Sequence, residues 1–176
     1  FKAGPNTEVV FLCGKGNNGG DGFVAARTAK RDGLEPSVIL FSGESDVAGD
    51  ALFHLKRARD AGVCVLTFSD LGKDDLVKTL SSADIVFDAL LGTGVRGELK
   101  RPIRDGIDAM RGHSAARVAV DIPSGMDPDT GNGSAVQADL TVTFGALKRG
   151  NIFYPGRALC GELAVNDIGL DVEDGI

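Results

Sequence analysis

The stretch Leu12–Arg27 reads LCGKGNNGGDGFVAAR, and it decides the fold. It continues the apolar run Val9–Cys13 and leads into an amphipathic segment, for which the pattern predicts a helix over Asp21–Gly33. A strand, a glycine-rich loop and a helix in this order form the phosphate-binding unit of many nucleotide-binding folds. Two asparagines and an aspartate nevertheless stand where a phosphate-wrapping loop needs only backbone amides. We therefore expect this loop to bind more than a phosphate.

The rest of the chain alternates short apolar runs with amphipathic stretches. The further predicted strands cover residues 36–41, 63–68, 84–92, 116–125, 138–145 and 161–169, and the further predicted helices cover 46–62, 70–83 and 102–112. Apolar strands separated by helices indicate a parallel sheet that is covered on both faces. The predicted fold class is α/β: a Rossmann-like, doubly wound three-layer αβα sandwich with a mostly parallel sheet of about seven strands.

Composition narrows the function classes. The 176 residues suit one domain over 1–176, with 43% hydrophobic and 25% charged residues. A net charge of −6 argues against a nucleic-acid surface, and no apolar run reaches the roughly 20 residues of a membrane helix. Three cysteines without a CxxC pair favour reduced thiols and a cytoplasmic location. His54 and His113 are interpreted as solvated surface residues.

Glycine-rich polar segments follow four of the predicted strands. They read GKGNNGGDG, DALLGTGVRGE, DIPSGMDPDTG and FGALKRG, after strands one, four, five and six. In a doubly wound sheet the ligand binds at the carboxyl ends of the strands, near the point where the strand order reverses. The sequence therefore predicts a ligand site at this edge of the sheet.

The first loop matches a dinucleotide fingerprint only in part. Gly14, Gly16 and Gly19 satisfy GxGxxG, but the acidic residue expected at the end of strand two is replaced by Ser42 and Gly43. No GK[ST] follows the loop, so the nucleotide-triphosphate loop of P-loop proteins is excluded. Because the acidic residue that binds the ribose is missing from this position, an ordinary NAD dehydrogenase is disfavoured.

Two aspartates lie inside apolar runs. Asp88 falls within strand four and Asp121 near the end of strand five, and each is followed by a glycine-rich loop. A cap or a turn is the simple role for one such residue, but a buried carboxylate needs a cation or several donors. No Lys or Arg stands beside either one in the sequence. A bound cation would fit, held by oxygens of Asn18, Asp88 and Ser124 and by backbone carbonyls.

These segments resemble the YjeF N-terminal domain family of NAD(P)H-hydrate epimerases. The resemblance rests on GKGNNGGDGFVAAR, DALLGTGVRGE, VDIPSGMDPDTG, ADLTVTFGALKRG and VNDIGL, which occur in the family's order over most of the chain. It implies an isomerase that interconverts the R and S forms of NADHX and NADPHX at C6 of the hydrated nicotinamide ring. This reaction repairs the damaged cofactor, and the family uses K+.

The resemblance also implies site residues. Asn18, Asp88 and Ser124 match the potassium ligands. The substrate-binding positions match Asn17, Asn18, Gly19, Gly20, Asp21, Gly92, Thr93, Gly94, Val95, Arg96, Gly97, Glu98 and Asp121. We expect Asp121 to be the catalytic acid–base group, because no histidine lies at this edge of the sheet. Lys148 could reach the same edge, although a solvated loop lysine is the simpler interpretation.

The chain departs from the family pattern in two respects. We expect this chain to lack, by trimming or otherwise, the N-terminal helical segment that is usual in the family, and the signature of the dehydratase domain to which members are often fused is not found in these residues. We expect a separate or fused NAD(P)HX dehydratase as a partner, a homodimer, and no nucleic-acid or membrane partner. The alternative is a non-catalytic nucleotide-binding sensor or a scaffold module of the same fold.

Overall fold

The apolar run before the glycine loop forms a strand near the middle of a seven-stranded sheet. In this computed structural model, which describes residues 4, 6–94 and 97–169, the strands are β1 (Glu8–Cys13), β2 (Glu35–Leu40), β3 (Cys64–Thr67), β4 (Ile85–Ala89), β5 (Ala116–Val120), β6 (Leu140–Phe144) and β7 (Glu162–Asn166). Their order is β3-β2-β1-β4-β5-β6-β7, and every neighbouring pair is parallel. The order reverses between β1 and β4, which confirms the doubly wound fold.

The helices connect these strands. They are α1 (Asn17–Arg31), α2 (Gly49–Asp60), α3 (Phe68–Leu71), α4 (Lys73–Ser82), α5 (Ile103–Met110) and α6 (Arg149–Ile152), with short 3-10 helices at Glu44–Asp46 and Gly156–Leu159. The predicted helix over 70–83 is divided into α3 and α4 by Gly72, whose φ is +78°. Within the described residues no helix is both long and apolar enough to cross a membrane.

The core lies on both faces of the sheet. On one face, Phe11 and Leu40 pack against Phe23 of α1 and Leu55 of α2. On the other face, a second cluster joins β1 and β2 to α4 and α5; it includes Leu12, Ile39, Leu76, Leu80 and Ile107. Successive β1 side chains thus enter opposite clusters, and both clusters consist of buried apolar side chains. This explains why β1 reads as a continuous apolar run instead of an alternating one.

The first helix begins four residues earlier than predicted. Asn17 opens α1, so the loop after β1 is only Gly14–Gly16. Asparagine and glycine are poor helix formers, but here close packing overrides propensity. A Cβ added to Gly19 would lie 1.8 Å from the carbonyl oxygen of Gly14, and one on Gly22 would lie 2.7 Å from the Cys13 sulfur. The glycines bring the start of α1 directly onto β1.

A pair of alanine substitutions tests this packing. Gly19→Ala gains up to about 1 kcal/mol in helix propensity, but its Cβ collides with backbone that has no room to move. We expect a net loss of about 3 kcal/mol or more in the free energy of unfolding, measured by urea denaturation. Gly16→Ala is the matched control, because nothing lies within 4 Å of its added Cβ. Its loss should stay below about 1 kcal/mol. Equal losses in the two variants would contradict the packing argument.

Candidate functional site

A cleft of about 1130 Å³ opens at the carboxyl end of the sheet, where the strand order reverses. Its wall includes seven of the residues implied by the resemblance: Asn17, Asn18, Asp21, Gly92, Thr93, Gly94 and Asp121. Gly19 and Gly20 are buried beneath the cleft, where they pack on Gly14 and Ala51. Gly97 and Glu98 border a separate cleft of about 360 Å³. Val95 and Arg96 lie outside the described residues.

The three residues implied as potassium ligands are joined through Leu91. The Asn18 amide nitrogen donates to the Leu91 carbonyl oxygen at 2.8 Å, and the Ser124 hydroxyl donates to the same oxygen at 3.2 Å. The Leu91 amide donates to Ser124 Oγ at 2.9 Å, and the Ser124 amide donates to Asp88 Oδ2 at 2.8 Å. The structure therefore brings together α1, the end of β4 and the loop after β5. All three side chains are buried.

Burial raises the pKa of the Asp88 carboxyl, and hydrogen bonds from Ser124 and Leu90 oppose that rise. Burial, together with the smaller effect of the Asp88 charge, raises the pKa of the Cys13 thiol, which keeps it protonated. The Asn18 amide oxygen is also buried, and no described residue donates to it. A buried carboxylate and a buried amide oxygen without a donor fit a hard monovalent cation. Among the described residues, here or elsewhere, no three His, Cys, Asp or Glu side chains are grouped so that they could hold a metal ion.

Asp121 occupies a backbone conformation that few residues adopt. It follows β5 directly, and its φ is +70°, the left-handed region in which aspartate and asparagine are enriched. Its amide donates to the Val142 carbonyl at 2.8 Å, which ties this residue to β6. Backbone strain of this kind concentrates at functional sites, where the surroundings hold the unusual conformation in place.

Lys148 is the partner of Asp121, and this corrects its interpretation as a solvated lysine. Its ammonium group forms an ion pair with Asp121 Oδ1, and the two side chains are only 20% and 14% exposed. It also donates to Thr143 Oγ1 at 2.9 Å and to the Phe144 carbonyl at 3.0 Å, so all three of its protons are used. The ion pair could not be predicted from local sequence, because 27 positions separate Lys148 from Asp121.

A second carboxylate, Asp21, lies on the same cleft. Partial burial and the neighbouring charge of Asp121 raise the pKa of Asp21, while His54 opposes the rise. The prediction that His54 and His113 are solvated surface residues is wrong, since each is half-buried and has one buried ring nitrogen without a hydrogen-bond partner among the described residues. Neither lines the cleft. Among the titratable groups on the cleft wall, carboxylates are therefore the candidates for proton transfer.

The cysteines agree with the expectation of reduced thiols. All three are free; Cys13 and Cys160 are buried, whereas Cys64 is exposed on β3, the edge strand. None of them lies on the cleft wall. A cysteine nucleophile is not part of this site.

Comparisons with family models and with related sequences lead to the same family, and comparison with solved structures supports the fold. The family described as YjeF-related protein N-terminus matches residues 1–150. A bifunctional NAD(P)H-hydrate repair enzyme Nnr from Thermofilum pendens is 43% identical over 91% of this chain. An NAD(P)H-hydrate epimerase from Rhodopirellula baltica is 37% identical over 96% of it. The crystal structure of yeast YNL200c has a TM-score of 0.71 at 22% identity, covering 84% of this chain and 61% of the yeast chain, which supports the fold.

The share of each relative that is matched differs widely. The chain spans 31% of the length of the Thermofilum pendens enzyme and 69% of the Rhodopirellula baltica epimerase. The matched part of the bifunctional enzyme is therefore less than one third of that protein.

The ion pair of Asp121 and Lys148 should be strongly coupled. In a double-mutant cycle of Asp121→Asn and Lys148→Met, we expect a coupling of about 1.5–3 kcal/mol in unfolding free energy, because both groups are mostly buried and share neighbours. The comparison cycle is Lys30→Met with Glu35→Gln, an ion pair whose glutamate is 82% exposed. Its coupling should stay below about 1 kcal/mol. Similar coupling in both cycles would mean that the cleft pair is solvated.

Proposed function

Because the chain belongs to the family of YjeF-related N-terminal domains, we propose that it interconverts the R and S forms of NADHX and NADPHX. The observation that carries this proposal is the placement of Asp121. This residue is an ion-paired carboxylate on a strained backbone, at the wall of a cleft of about 1130 Å³. The names of the relatives, hydrate epimerase and hydrate repair enzyme, support the same reaction.

The chemistry requires an acid and a base near C6 of the hydrated ring. Inversion at C6 proceeds either by loss and return of the hydroxyl on the opposite face or by opening and closing of the ring. In both routes a proton moves to and from an oxygen or a nitrogen of the ring system, and a positioned carboxylate can carry it. Every hydrogen bond that described residues donate to the Asp121 carboxylate goes to Oδ1. Oδ2 is therefore the oxygen that remains for the substrate.

The start of α1 is suited to the pyrophosphate. The first amides of a helix have no intrahelical acceptor, and the helix dipole favours an anion there. Asn17, Asn18 and Asp21 line the cleft at this end, and Lys15 precedes them on the same wall. Asn18 has a further role at this end of the cleft, because its amide nitrogen donates to the Leu91 carbonyl and ties the helix to the loop after β4.

We propose potassium as the cation of the Asn18, Asp88 and Ser124 site. When bound, it would compensate the buried Asp88 charge and fix the loops after β4 and β5. The buried Asn18 amide oxygen, to which no described residue donates, supports this choice. A ligand set of neutral amide and hydroxyl oxygens beside a single carboxylate also suits a monovalent cation. A fused or separate dehydratase, a homodimer and a cytoplasmic location stay predictions.

Asp121→Asn tests the acid–base role. Asparagine tolerates the left-handed backbone and keeps the side-chain size, so the variant should fold. Exchange between R- and S-NADPHX, followed by chromatography and corrected for the spontaneous rate, should slow by about 10²–10⁴-fold. Calorimetric binding of the hydrate should persist. Asp60→Asn, at the exposed end of α2, is the control and should keep wild-type turnover.

Two outcomes would change the assignment. Wild-type turnover in Asp121→Asn would transfer the acid–base role to Lys148 or a water molecule. Tight binding of the hydrate without turnover in the wild-type protein would favour the nucleotide sensor over the enzyme.

Potassium should stabilise the protein, and more so at higher pH. The raised pKa of Asp88 means that the folded state without a cation holds a proton more tightly than the unfolded state, so stability falls as pH rises through that pKa. Potassium needs the ionised carboxylate and competes with the proton. Melts in potassium and lithium buffers should differ, by about 2.7 kcal/mol at one hundred times the dissociation constant, and the difference should shrink as the pH is lowered through the raised pKa of Asp88.

Asp88→Asn is the control for this measurement, because it removes the only carboxylate of the proposed ligand set. Its melts should be the same in both buffers. Identical melts of the wild-type protein at pH 8 would count against the ion site.

A further inference from the structure

The cleft extends well beyond Asp121 and the start of α1. On the side of β2 and β3 its wall consists of Phe41, Ser42, Gly43, Asp46, Phe68 and Ser69. These residues come from the connections after β2 and β3, on the opposite side of the switch point from Asp121. A dinucleotide in a doubly wound sheet crosses that point, with one nucleotide over each half. If the hydrated ring lies at Asp121, the adenosine half lies over β2 and β3.

Asp46 returns to the end of β2 through a 3-10 turn. Its amide donates to the Gly43 carbonyl at 3.0 Å, and its Oδ2 lies 3.3 Å from the position that a Cβ on Gly43 would take. Its carboxylate therefore lies beside Gly43 on the cleft wall. Glu44, in the same turn, instead forms an ion pair with Arg59 of α2, and it is not part of the wall.

Asp46 lies where dinucleotide-binding folds have an acidic residue, at the end of β2. In dinucleotide-binding folds an acidic residue at the end of β2 accepts a hydrogen bond from the ribose 2′-hydroxyl, and it repels a 2′-phosphate. Ser42 and Gly43 occupy that place in the sequence, but the turn brings the Asp46 carboxylate to it in space. Building on the function proposed above, we propose that Asp46 binds the adenosine ribose and makes the site prefer NADHX to NADPHX.

An aromatic wall beside Asp46 suits the adenine ring. Phe41 and Phe68 stack with their ring centroids 4.9 Å apart. Phe41 is only 2% exposed, whereas Phe68 is partly exposed to the cleft. Among the described residues, the cations on the cleft wall are Lys15, Lys100 and Arg101, which come from the β1–α1 and β4–α5 connections, and Arg101 lies 3.6 Å from Asp105. The carboxylate nearest the β2 end is thus the charge that a 2′-phosphate would meet first.

Binding of ADP-ribose and 2′-phospho-ADP-ribose measures the preference without turnover. By calorimetry, the wild-type protein should bind ADP-ribose at least about tenfold more tightly, and Asp46→Asn should reduce that ratio about tenfold. Glu44→Gln removes the same charge from the same turn, so it controls for net charge and should leave the ratio unchanged. Phe68→Ala should weaken both ligands equally. An unchanged ratio in Asp46→Asn, or an equal change in Glu44→Gln, would overturn the assignment.

Turnover measurements test the role of Asp46 separately from the proposed epimerase activity. In Asp46→Asn, kcat/KM for NADPHX should rise relative to that for NADHX by the same factor of about ten. Turnover by the wild-type protein with no change of this ratio would reject Asp46 and leave the epimerase intact. The expected binding ratios without turnover of either hydrate would support the Asp46 site and reject the epimerase.

Discussion

The hydrogen bond from the Ser124 amide to the Asp88 carboxylate holds the switch point of the sheet together. Asp88 lies between Leu12 of β1 and Ala119 of β5 in the sheet register, so its side chain rises from the middle of the strand order. Through Ser124 it fixes the loop after β5, and through Leu91 that loop is joined to Asn18 of α1. Three segments far apart in the chain thus share one buried polar network. Such a network is rigid when all of its members are satisfied, and the buried Asn18 amide oxygen, to which no described residue donates, is the member at which the proposed cation would bind.

The fold could be predicted from sequence because its main signals are local. The apolar run of β1 and the four predicted helices each rest on neighbouring residues, and the sandwich follows from their alternation. The start of α1 could not be predicted this way. Its asparagines and glycines disfavour a helix, and only contacts with Gly14, Cys13 and Ala51 reveal that the chain turns helical there. Tertiary packing, which no local pattern encodes, decided that boundary.

At the site, too, local sequence signals could be read in advance, whereas tertiary contacts could not. Asp88 and Asp121 were recognisable as carboxylates in apolar runs, because burial of a charge is visible in the sequence around it. Their partners were not. Asp88 accepts hydrogen bonds from the backbone amides of Ser124 and Leu90, which residue types in the sequence do not reveal, and Asp121 is paired with a lysine that follows β6. Asp46 was missed for a third reason: a short turn moves its carboxylate back to a place that the linear order gives to Ser42 and Gly43.

The left-handed backbone at Asp121 also limits how this position can change during evolution. At a φ of +70° a side chain branched at Cβ is strained, and glycine, asparagine and aspartate are the residues that adopt this region readily. A lineage that abandons the acid while keeping the fold is therefore expected to place asparagine or glycine here. Because a single nucleotide change converts an aspartate codon into either one, the path from an acid to a neutral residue at this position is short. The path to a glutamate is equally short in codons, but glutamate adopts this backbone region less readily than aspartate.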